Sequence, residues 1–436
     1  MHTAPATDAT PARTSLFANR NFSLLFGGSS ISVLGDQFTL VALPWLVLKL
    51  TGDPAALGIV LAVMAFPRAI FMLLGGAVVD RMSPRRVLLG ARAVNAACIV
   101  VLAVLVLAGA IQMWMIYLLA LGIGLSTAFA YPAGMAILPQ LVPLQQLRSA
   151  NALFMGTRQL SMVVGPVLAG LVIALGAHHA GAPALPDAHG LGEAFAIDAA
   201  SFMFSLASLI MIRIHGDSHP AKKTDGVFAS IASGIRYVWT DVPLRAFVLY
   251  AGFVSVFVGG PIQVGLPVLA DTRMDLGAAS LGILMTAQGI GMVVGSILSG
   301  VAARVTRGRL GIMVLCFDSV AGLILVALML VHTTWTGALL LLGVGLLGGI
   351  VQIAIFTWIQ QRVSQAMMGR TMSILMFTFM GLGPLSAAIA GALLKVISLT
   401  ALFGIAGLTL SVIALACLGS PQLRSIRAMQ PEAAQA

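Results

Sequence analysis

Charged side chains are scarce in this sequence, and their scarcity excludes most classes of soluble protein. Asp, Glu, Lys and Arg make up 9% of the 436 residues, and hydrophobic residues make up 59%; a soluble domain carries about 25% charged residues. The mean hydropathy is +1.03, so there are too few polar residues to cover a water-exposed surface. The net charge of +10 does not indicate nucleic-acid binding, because the basic residues lie in short loops between apolar runs, the pattern that encodes membrane topology.

Cysteines are also few, and several chemical signatures are missing. Cys98, Cys316 and Cys417 all lie inside apolar runs, without the spacing of a metal site or of a disulfide framework. The sequence has no G-x-x-x-x-G-K-[ST] loop, which argues against an ATP-driven pump. It also has no nucleophile–base pair and no metal-ligand cluster, so we predict a protein that is not an enzyme and that holds no cofactor or metal.

The sequence does contain a series of long apolar runs. About 20 apolar residues span a bilayer as a helix, and helices satisfy the backbone groups for which lipid offers no partner. We therefore predict an all-α membrane protein with twelve transmembrane helices. They are expected at residues 21–48, 54–79, 86–108, 112–138, 150–176, 193–213, 243–269, 278–303, 310–331, 335–361, 370–396 and 398–419.

Lys and Arg are unevenly distributed between the two sides of these spans. The loops on one side hold only Lys49, Arg273 and Lys395, whereas the other side has most of the basic loop residues and both tails. Since the positive side is cytoplasmic, both termini are predicted to lie inside a bacterial cytoplasmic (inner) membrane that the chain crosses many times. The predicted divisions are an N-terminal tail (1–20), a six-helix bundle (21–213), a cytoplasmic linker (214–242), a second six-helix bundle (243–419) and a C-terminal tail (420–436).

The two halves of the chain resemble each other at a nearly constant offset. Residues 57–80 align with residues 281–304, and VALPWLVL at 41–48 aligns with VGLPVLAD at 264–271. An even number of spans separates the copies, so the repeat keeps its orientation in the membrane. Parallel six-helix repeats that bind substrate between them near the midplane describe one major transporter architecture. The sequence therefore predicts two parallel repeats around a central site.

The loop after the second span carries a family signature. Residues 76–86, GAVVDRMSPRR, resemble the G-x-x-x-D-R-x-x-R-R signature of the major facilitator superfamily. The stretches LGDQFTLVALPWLVLKLTGDPAALG (34–58) and GPVLAG (165–170) resemble more closely its branch of drug, macrolide and siderophore exporters. The resemblance implies a monomeric transporter whose partners are a small-molecule substrate, protons and the lipid bilayer.

The resemblance also implies a cytoplasmic gate. An Asp at the position of Asp80 is taken to lie near the start of the eleventh span, where the positive end of that helix attracts it. An alternative is that the arginines of this loop only set the membrane topology. The residues assigned to the gate are Gly76, Asp80, Arg81, Arg85, Arg86 and Arg370.

The sequence departs from the family pattern at three places. Ser83-Pro84 stands where the superfamily often has glycine, and Arg304 occupies the position of Asp80 in the second copy. The fourth span lacks the arginine that many drug/proton antiporters of the superfamily carry. That absence weakens a direct transfer of their proton-coupling mechanism.

Five charged residues are predicted to lie within the membrane, and a structural role is favoured for two of them, Asp198 and Asp318. Asp36 and Arg68 both fall near the middle of their spans at a rise of about 1.5 Å per residue. A charge at that depth costs roughly 2.5–3.5 kcal/mol and usually has a partner, so we predict an Asp36–Arg68 pair. Arg158, in the fifth span, is expected either to contact an anionic substrate or to form a structural pair.

A broad apolar cavity is predicted near these charges. Ser32 and Thr39 share the helix face of Asp36, and the 22 methionines suit variable ligands. Aromatic rings are expected to stack on a flat substrate, although ordinary helix packing is the alternative for each ring. The residues predicted to line the cavity are Ser32, Gln37, Thr39, Trp45, Gln263, Gln288, Phe356 and Trp358.

These features together predict a secondary active exporter of small amphiphilic molecules that resemble drugs or siderophores. It would work by alternating access as a proton antiporter, with Asp36 as the coupling group. A uniporter or a lysophospholipid flippase of the same fold, in which Asp36 and Arg68 form only a structural pair, is the alternative. A sensor or scaffold without transport is disfavoured, because the longest loop has only about 30 residues.

Overall fold

A computed structural model describes residues 15–176, 187–212, 227–306 and 308–426. Within its helices, the side chains of residues 69, 72–81, 227–231, 365–366 and 380 lie outside the description. The described ranges contain helices and their connections and no strand, which confirms the predicted all-α class.

Twelve long helices match the twelve predicted spans one for one. The first half contains α1 (Arg20–Thr51), α2 (Pro54–Arg81), α3 (Pro84–Leu107), α4 (Met113–Leu141), α5 (Leu144–Gly176) and α6 (Ala188–Met211). A shorter helix, α7 (Val227–Thr240), precedes the second half, and α14 (Pro421–Arg424) follows it. The second half contains α8 (Val242–Arg273), α9 (Ala278–Val305), α10 (Leu310–Ala327), α11 (Thr334–Arg362), α12 (Gln365–Leu393) and α13 (Leu399–Cys417).

These helices are long and apolar enough for a bilayer. Eleven helices in the described part meet the length and hydropathy of a membrane span, and the apolar stretch Pro54–Arg68 lies in α2. The multi-pass prediction is therefore confirmed.

Side chains at the helix ends fix where several helices start and stop. The Asn19 side chain accepts hydrogen bonds from the backbone N–H of Asn21 and Phe22 before α1, and Asp241 caps α8 through the N–H of Leu244. Such caps satisfy backbone donors that have no partner inside the helix. Helix α1 ends at Gly52, whose φ of 63° is readily adopted only by glycine.

Each half is held together by pairs of adjacent helices. In the first half α1 packs on α6, α2 on α4 and α3 on both α4 and α6. In the second half α9 packs on α11, α8 on α12 and α10 on α13. The halves meet where α5 packs on α9 and α2 packs on α12. The two repeats therefore meet along two helix pairs, one helix of each pair coming from each repeat.

The linker region holds a helix that sequence analysis did not predict. Helix α7 falls within the segment expected to be a cytoplasmic linker, and it packs against α12. Its Ser233 accepts a hydrogen bond of 2.7 Å from Arg370. The segment between the halves is thus tied to the start of α12.

Candidate functional site

A cavity of about 400 Å³ lies between the two halves. Helices α1 and α2 form one wall, and α8, α9 and α12 form the other. Most of the lining is apolar, and Arg68, Gln263 and Gln288 are its polar members. The lining residues are Leu40, Pro44, Leu61, Met64, Ala65, Arg68, Ile262, Gln263, Leu266, Pro267, Leu281, Met285, Gln288, Phe379, Gly383 and Pro384.

The cavity lies on the axis that relates the two repeats. Pro44 and Pro267 occupy equivalent positions in the aligned stretches 41–48 and 264–271, and both line the cavity. Met64 and Gln288 are equivalent in the second alignment and also both line it. Parallel repeats place equivalent residues on opposite sides of a central site. The internal repeat therefore locates this cavity, but Arg68 has the uncharged Met292 as its equivalent.

Asp36 lies next to the cavity on its α1 wall. It is one turn before Leu40 and two turns before Pro44, so the three residues share one helix face. The Asp36 side chain is exposed, in contrast to most of the surrounding helix. Its equivalent in the second half is Gly259, so the carboxylate belongs to one wall only.

Three arginines act on Asp36 through their charges, and the ion pair predicted between Asp36 and Arg68 is not formed. The charge of Arg92 acts most strongly on Asp36, followed by those of Arg158 and Arg68. No ion pair within 4.0 Å joins Asp36 to Arg68 in the described chain. The same is true of Arg92 and Arg158, so all three arginines act on Asp36 at longer range. The position of Arg92 on α3 near Asp36 could not be deduced from depth along the sequence.

Arg92 is the site residue that sequence reasoning missed. It donates hydrogen bonds to the Ser29 hydroxyl at 3.0 Å and to the Ser32 hydroxyl at 3.4 Å. Both serines are on the Asp36 face of α1, so the polar stripe predicted there holds a neighbouring helix. The available signal was a basic residue two turns inside an apolar span, opposite a serine stripe.

A second carboxylate lies behind Asp36. Asp198 in α6 is fully buried, accepts a hydrogen bond from the Thr39 hydroxyl and contacts the Ser201 hydroxyl at 3.3 Å. The negative charges of Asp36 and Asp198 act on each other. Helix α6 comes this close because Gly35 has no side chain: a Cβ there would lie 2.6 Å from a carboxylate oxygen of Asp198.

The polar residues predicted for the cavity divide into two groups. Gln263 and Gln288 line it. Ser32, Gln37 and Thr39 are buried and pack between helices, so their assignment to the cavity is corrected. Ser32 and Thr39 hold Arg92 and Asp198, and Gln37 packs its stem against Gly165 of α5.

The predicted aromatic lining is wrong in this conformation, because the indole rings fill packed cores. Trp45 is 1% exposed and donates a hydrogen bond of 3.0 Å to Asp187. Trp358 is 2% exposed and packs edge-on against Phe247 at 6.0 Å between ring centroids. Phe356 is absent from the cavity lining, whereas Phe379 contributes the aromatic ring that the sequence did not single out.

Two ion pairs join the halves at what we call the outer end, the end with residues 52–53, 108–112, 274–277 and 394–398 that is predicted to lie outside. Lys49 pairs with Asp271 at 2.7 Å, and Lys395 pairs with Asp53 at 3.0 Å. Partial burial alone would raise the pKa of Asp53, but hydrogen bonds from Lys395 and Ala55 outweigh that effect and hold the pKa below its ordinary value. Asp53 is thus ionised at neutral pH, and the pair persists there.

Glycines allow the helix backbones of the two halves to touch near the same end. A Cβ on Gly58 of α2 would lie 2.6 Å from the carbonyl oxygen of Ala387 in α12. A Cβ on Gly170 of α5 would lie 2.7 Å from that of Ala278 in α9. Small residues permit such approach between membrane helices. The two halves are therefore in direct backbone contact near the outer end.

The predicted inner gate is only partly covered by the description. Gly76 lies in α2, and the side chains of Asp80 and Arg81 lie outside the description, so the Asp80 latch stays a prediction. Arg85 donates to the carbonyl of Ile210 in its own half. Arg86 is exposed. No group of three or more His, Cys, Asp or Glu side chains in the described ranges is placed to hold a metal.

Comparison with curated proteins finds bacterial exporters over most of the chain. The enterobactin exporter EntS of Salmonella choleraesuis (strain SC-B67) is 25% identical over 362 residues, which are 83% of this chain and 80% of that protein. The multidrug efflux pump Tap of Mycolicibacterium fortuitum is 26% identical over 403 residues, which are 90% and 93% of the two chains. Both relatives are efflux transporters by name.

The fold agrees with solved transporter structures and with a family profile. A mutant of the nucleoside transporter NupG superposes with a TM-score of 0.71 at 14% identity, covering 92% of this chain and 99% of that one, which is a likeness of fold alone. The profile described as Major Facilitator Superfamily matches residues 25–388. The chain therefore belongs to the Major Facilitator Superfamily, as its loop signature indicated, and is a membrane transporter rather than an enzyme.

Proposed function

We propose that this chain is a secondary active exporter of small amphiphilic molecules that works by alternating access and proton antiport. Asp36 is the coupling carboxylate: it takes up a proton when the cavity faces outward and releases the proton when the cavity faces the cytoplasm. The observation that carries the proposal is an exposed carboxylate on the helix face that continues into the central cavity. Ionisable residues inside a membrane protein often serve proton relays.

The contacts between the halves support alternating access. Ion pairs and glycine contacts join the halves at the outer end, and all of these contacts are non-covalent. Breaking them would open the cavity at the outer end, while each bundle keeps its own core. The names of the two exporter relatives support the outward direction.

Substitution of Asp36 by Asn tests the coupling role. A growth-inhibition panel of drugs, together with a measurement of siderophore secretion, first identifies a compound that the protein expels. Transport of that compound is then measured in everted vesicles with and without an imposed pH gradient. We expect Asp36→Asn to abolish gradient-driven accumulation but to retain exchange of labelled for unlabelled compound, because exchange needs no net proton movement.

Asp318→Asn is the matched control. Asp318 lies in the second half, away from the cavity lining, and accepts a hydrogen bond of 2.7 Å from Tyr250. The Asp318→Asn substitution should leave coupled transport in place. Coupled efflux with an unchanged pH dependence in the Asp36→Asn protein would contradict proton coupling through Asp36. Wild-type transport that ignores the gradient would instead favour a uniporter or a lysophospholipid flippase.

A further inference from the structure

The charges beside the cavity do not balance. Arg68, Arg92 and Arg158 all act on one exposed carboxylate, Asp36. Asp198 is fully buried and already bound by the Thr39 and Ser201 hydroxyls. Even with both carboxylates ionised, the cluster keeps an excess positive charge. Unbalanced charge in a low-dielectric site attracts a counter-charge.

The three arginines differ in how they are held. Arg92 is fixed by the hydroxyls of Ser29 and Ser32 and so has a structural role. Arg68 and Arg158 make no side-chain hydrogen bond and no ion pair with any other residue of the described ranges. Arg68 lines the cavity, Arg158 is exposed, and the positive charges of the two act on each other.

The opposite wall of the cavity has a different character. In the second half the equivalents of Asp36 and Arg68 are Gly259 and Met292. The described lining on that side is apolar except for Gln263 and Gln288, and Met285 and Phe379 are among its apolar members. A ligand that fits this cavity is therefore an amphiphile: a charged group faces Arg68 on α2, whose charge interacts with that of Arg158 on α5, and an apolar body faces α8, α9 and α12.

We propose that the transported amphiphiles carry an anionic group, which Arg68 and Arg158 bind. Guanidinium groups are well suited to carboxylate, sulfonate or phosphate oxygens because they form paired charge-assisted hydrogen bonds. This inference rests on the proposed function, and it answers the question that the sequence left open for Arg158. A bound anion supplies the negative charge that the cluster of three arginines and two carboxylates lacks.

A pair of matched fluorescent probes tests the charge preference. 8-Anilino-1-naphthalenesulfonate is N-phenyl-1-naphthylamine with an added sulfonate, so the two share one aromatic body and differ in charge. Binding of each is titrated with the full chain in phosphatidylcholine nanodiscs, and empty nanodiscs supply the background. We expect the sulfonate to bind wild type at least about tenfold more tightly than the neutral probe, and added NaCl to reduce that preference.

Arginine variants locate the effect. Arg68→Gln and Arg158→Gln should each weaken sulfonate binding by about tenfold and leave neutral-probe binding within about twofold, which also shows that the variants are folded. Arg309→Gln, an exposed residue at the start of α10, removes the same charge elsewhere and should change neither. Equal binding of both probes, or an equal loss of both in the Arg68 and Arg158 variants, would overturn the inference.

Competition distinguishes two sources of the anionic group. Displacement of the sulfonate by 1-naphthoate indicates a free organic anion, and displacement only by lysophosphatidylglycerol indicates a lipid headgroup; both support an anion site. Tighter binding of the cation ethidium than of the sulfonate would contradict the inference. Charge-selective binding without any transport would overturn the proposed function alone, whereas coupled export that the arginine variants leave unchanged would overturn the anion site alone.

Discussion

At the scale of single residues, the charges around Asp36 have unequal roles. Arg92 is half-buried and bound to two serines of α1, so its side chain ties α3 to α1 next to Asp36. Arg68 lies at the cavity without a described partner. The same carboxylate thus has one arginine as a structural neighbour and another that is available to a ligand.

A double-mutant cycle separates these two roles. We expect Asp36→Asn and Arg92→Gln to be coupled by about 1–2 kcal/mol in the free energy of unfolding, because each removes the neighbour of the other's charge. Coupling of Asp36→Asn with Arg68→Gln should stay below about 0.5 kcal/mol. Denaturant unfolding of the four proteins of each cycle in detergent gives both values. A larger coupling free energy with Arg68 than with Arg92 would show that Arg68 is the main partner of Asp36, as the sequence predicted.

Sequence reasoning reached this site in part, and the limits have physical causes. Asp36 stands out because a carboxylate is costly inside an apolar span. Arg92 does not, because it follows Arg85 and Arg86 and looks like one more residue that sets topology. Its hydrogen bonds join residues 60 and 63 positions apart, and that contact depends on where α3 lies relative to α1. The burial of Trp45 in a packed core could not be deduced from the sequence either, because it also depends on contacts between helices.

At the scale of helices, glycine positions decide how closely the halves approach. Gly282 in α9 faces the backbone of Pro166 and Gly170 in α5, and the N–H of Val167 in α5 donates to the Thr286 hydroxyl at 3.1 Å. Gly300 lies further along α9 with no atom within 4 Å of the place where its Cβ would be. Helix α9 therefore contains one glycine at the contact between the halves and a second glycine without such a contact, which can serve as its control.

We expect Gly282→Ala to weaken closure of the outer end. The new Cβ would overlap the carbonyl oxygen of Pro166, and backbone cannot move aside as a flexible side chain can. The measurement is labelling of a cavity cysteine, Gln263→Cys, by a membrane-impermeant thiol reagent added from the outer side, after replacement of Cys98, Cys316 and Cys417. Labelling should be at least about fivefold faster than in the parent, a shift of about 1 kcal/mol.

Gly300→Ala is the control for that experiment, because it changes the same helix without a new contact. It should keep the labelling rate of the parent protein. Equal rates in the two alanine proteins would show that the α5–α9 contact does not limit access to the cavity. The helices could be predicted from the length of the apolar runs and from the capping residues. The α5–α9 contact could not, because it depends on distances between two backbones, which the sequence pattern does not reveal.

At the scale of the whole molecule, the internal repeat explains most of the architecture. The alignments 41–48 with 264–271 and 57–80 with 281–304 predict two parallel bundles, and equivalent residues from both line the cavity. The charges break this symmetry, since Asp36 and Arg68 have uncharged equivalents. The repeat supplies a scaffold of two similar halves, and the first half carries the charged residues beside the cavity.

If transport requires the halves to separate at the outer end, a cross-link there must stop it. In a protein without native cysteines, Lys49→Cys with Asp271→Cys replaces an ion pair of 2.7 Å that joins the halves. Asp53→Cys with Lys395→Cys replaces the second, of 3.0 Å. A short bifunctional methanethiosulfonate should reduce efflux at least about tenfold in either protein, a change of about 1.4 kcal/mol or more in effective barrier, and dithiothreitol should restore it.

The control cross-link stays within one half at the same end. Arg273 donates to the Thr400 hydroxyl at 2.5 Å, so Arg273→Cys with Thr400→Cys ties α8 to α13 inside the second bundle. Since a rigid bundle can rock as a unit, this protein should keep its efflux after cross-linking. Full transport by both cross-linked inter-half proteins would mean that substrate leaves without opening of the outer end, and alternating access by separation of the two halves would then be wrong for this transporter.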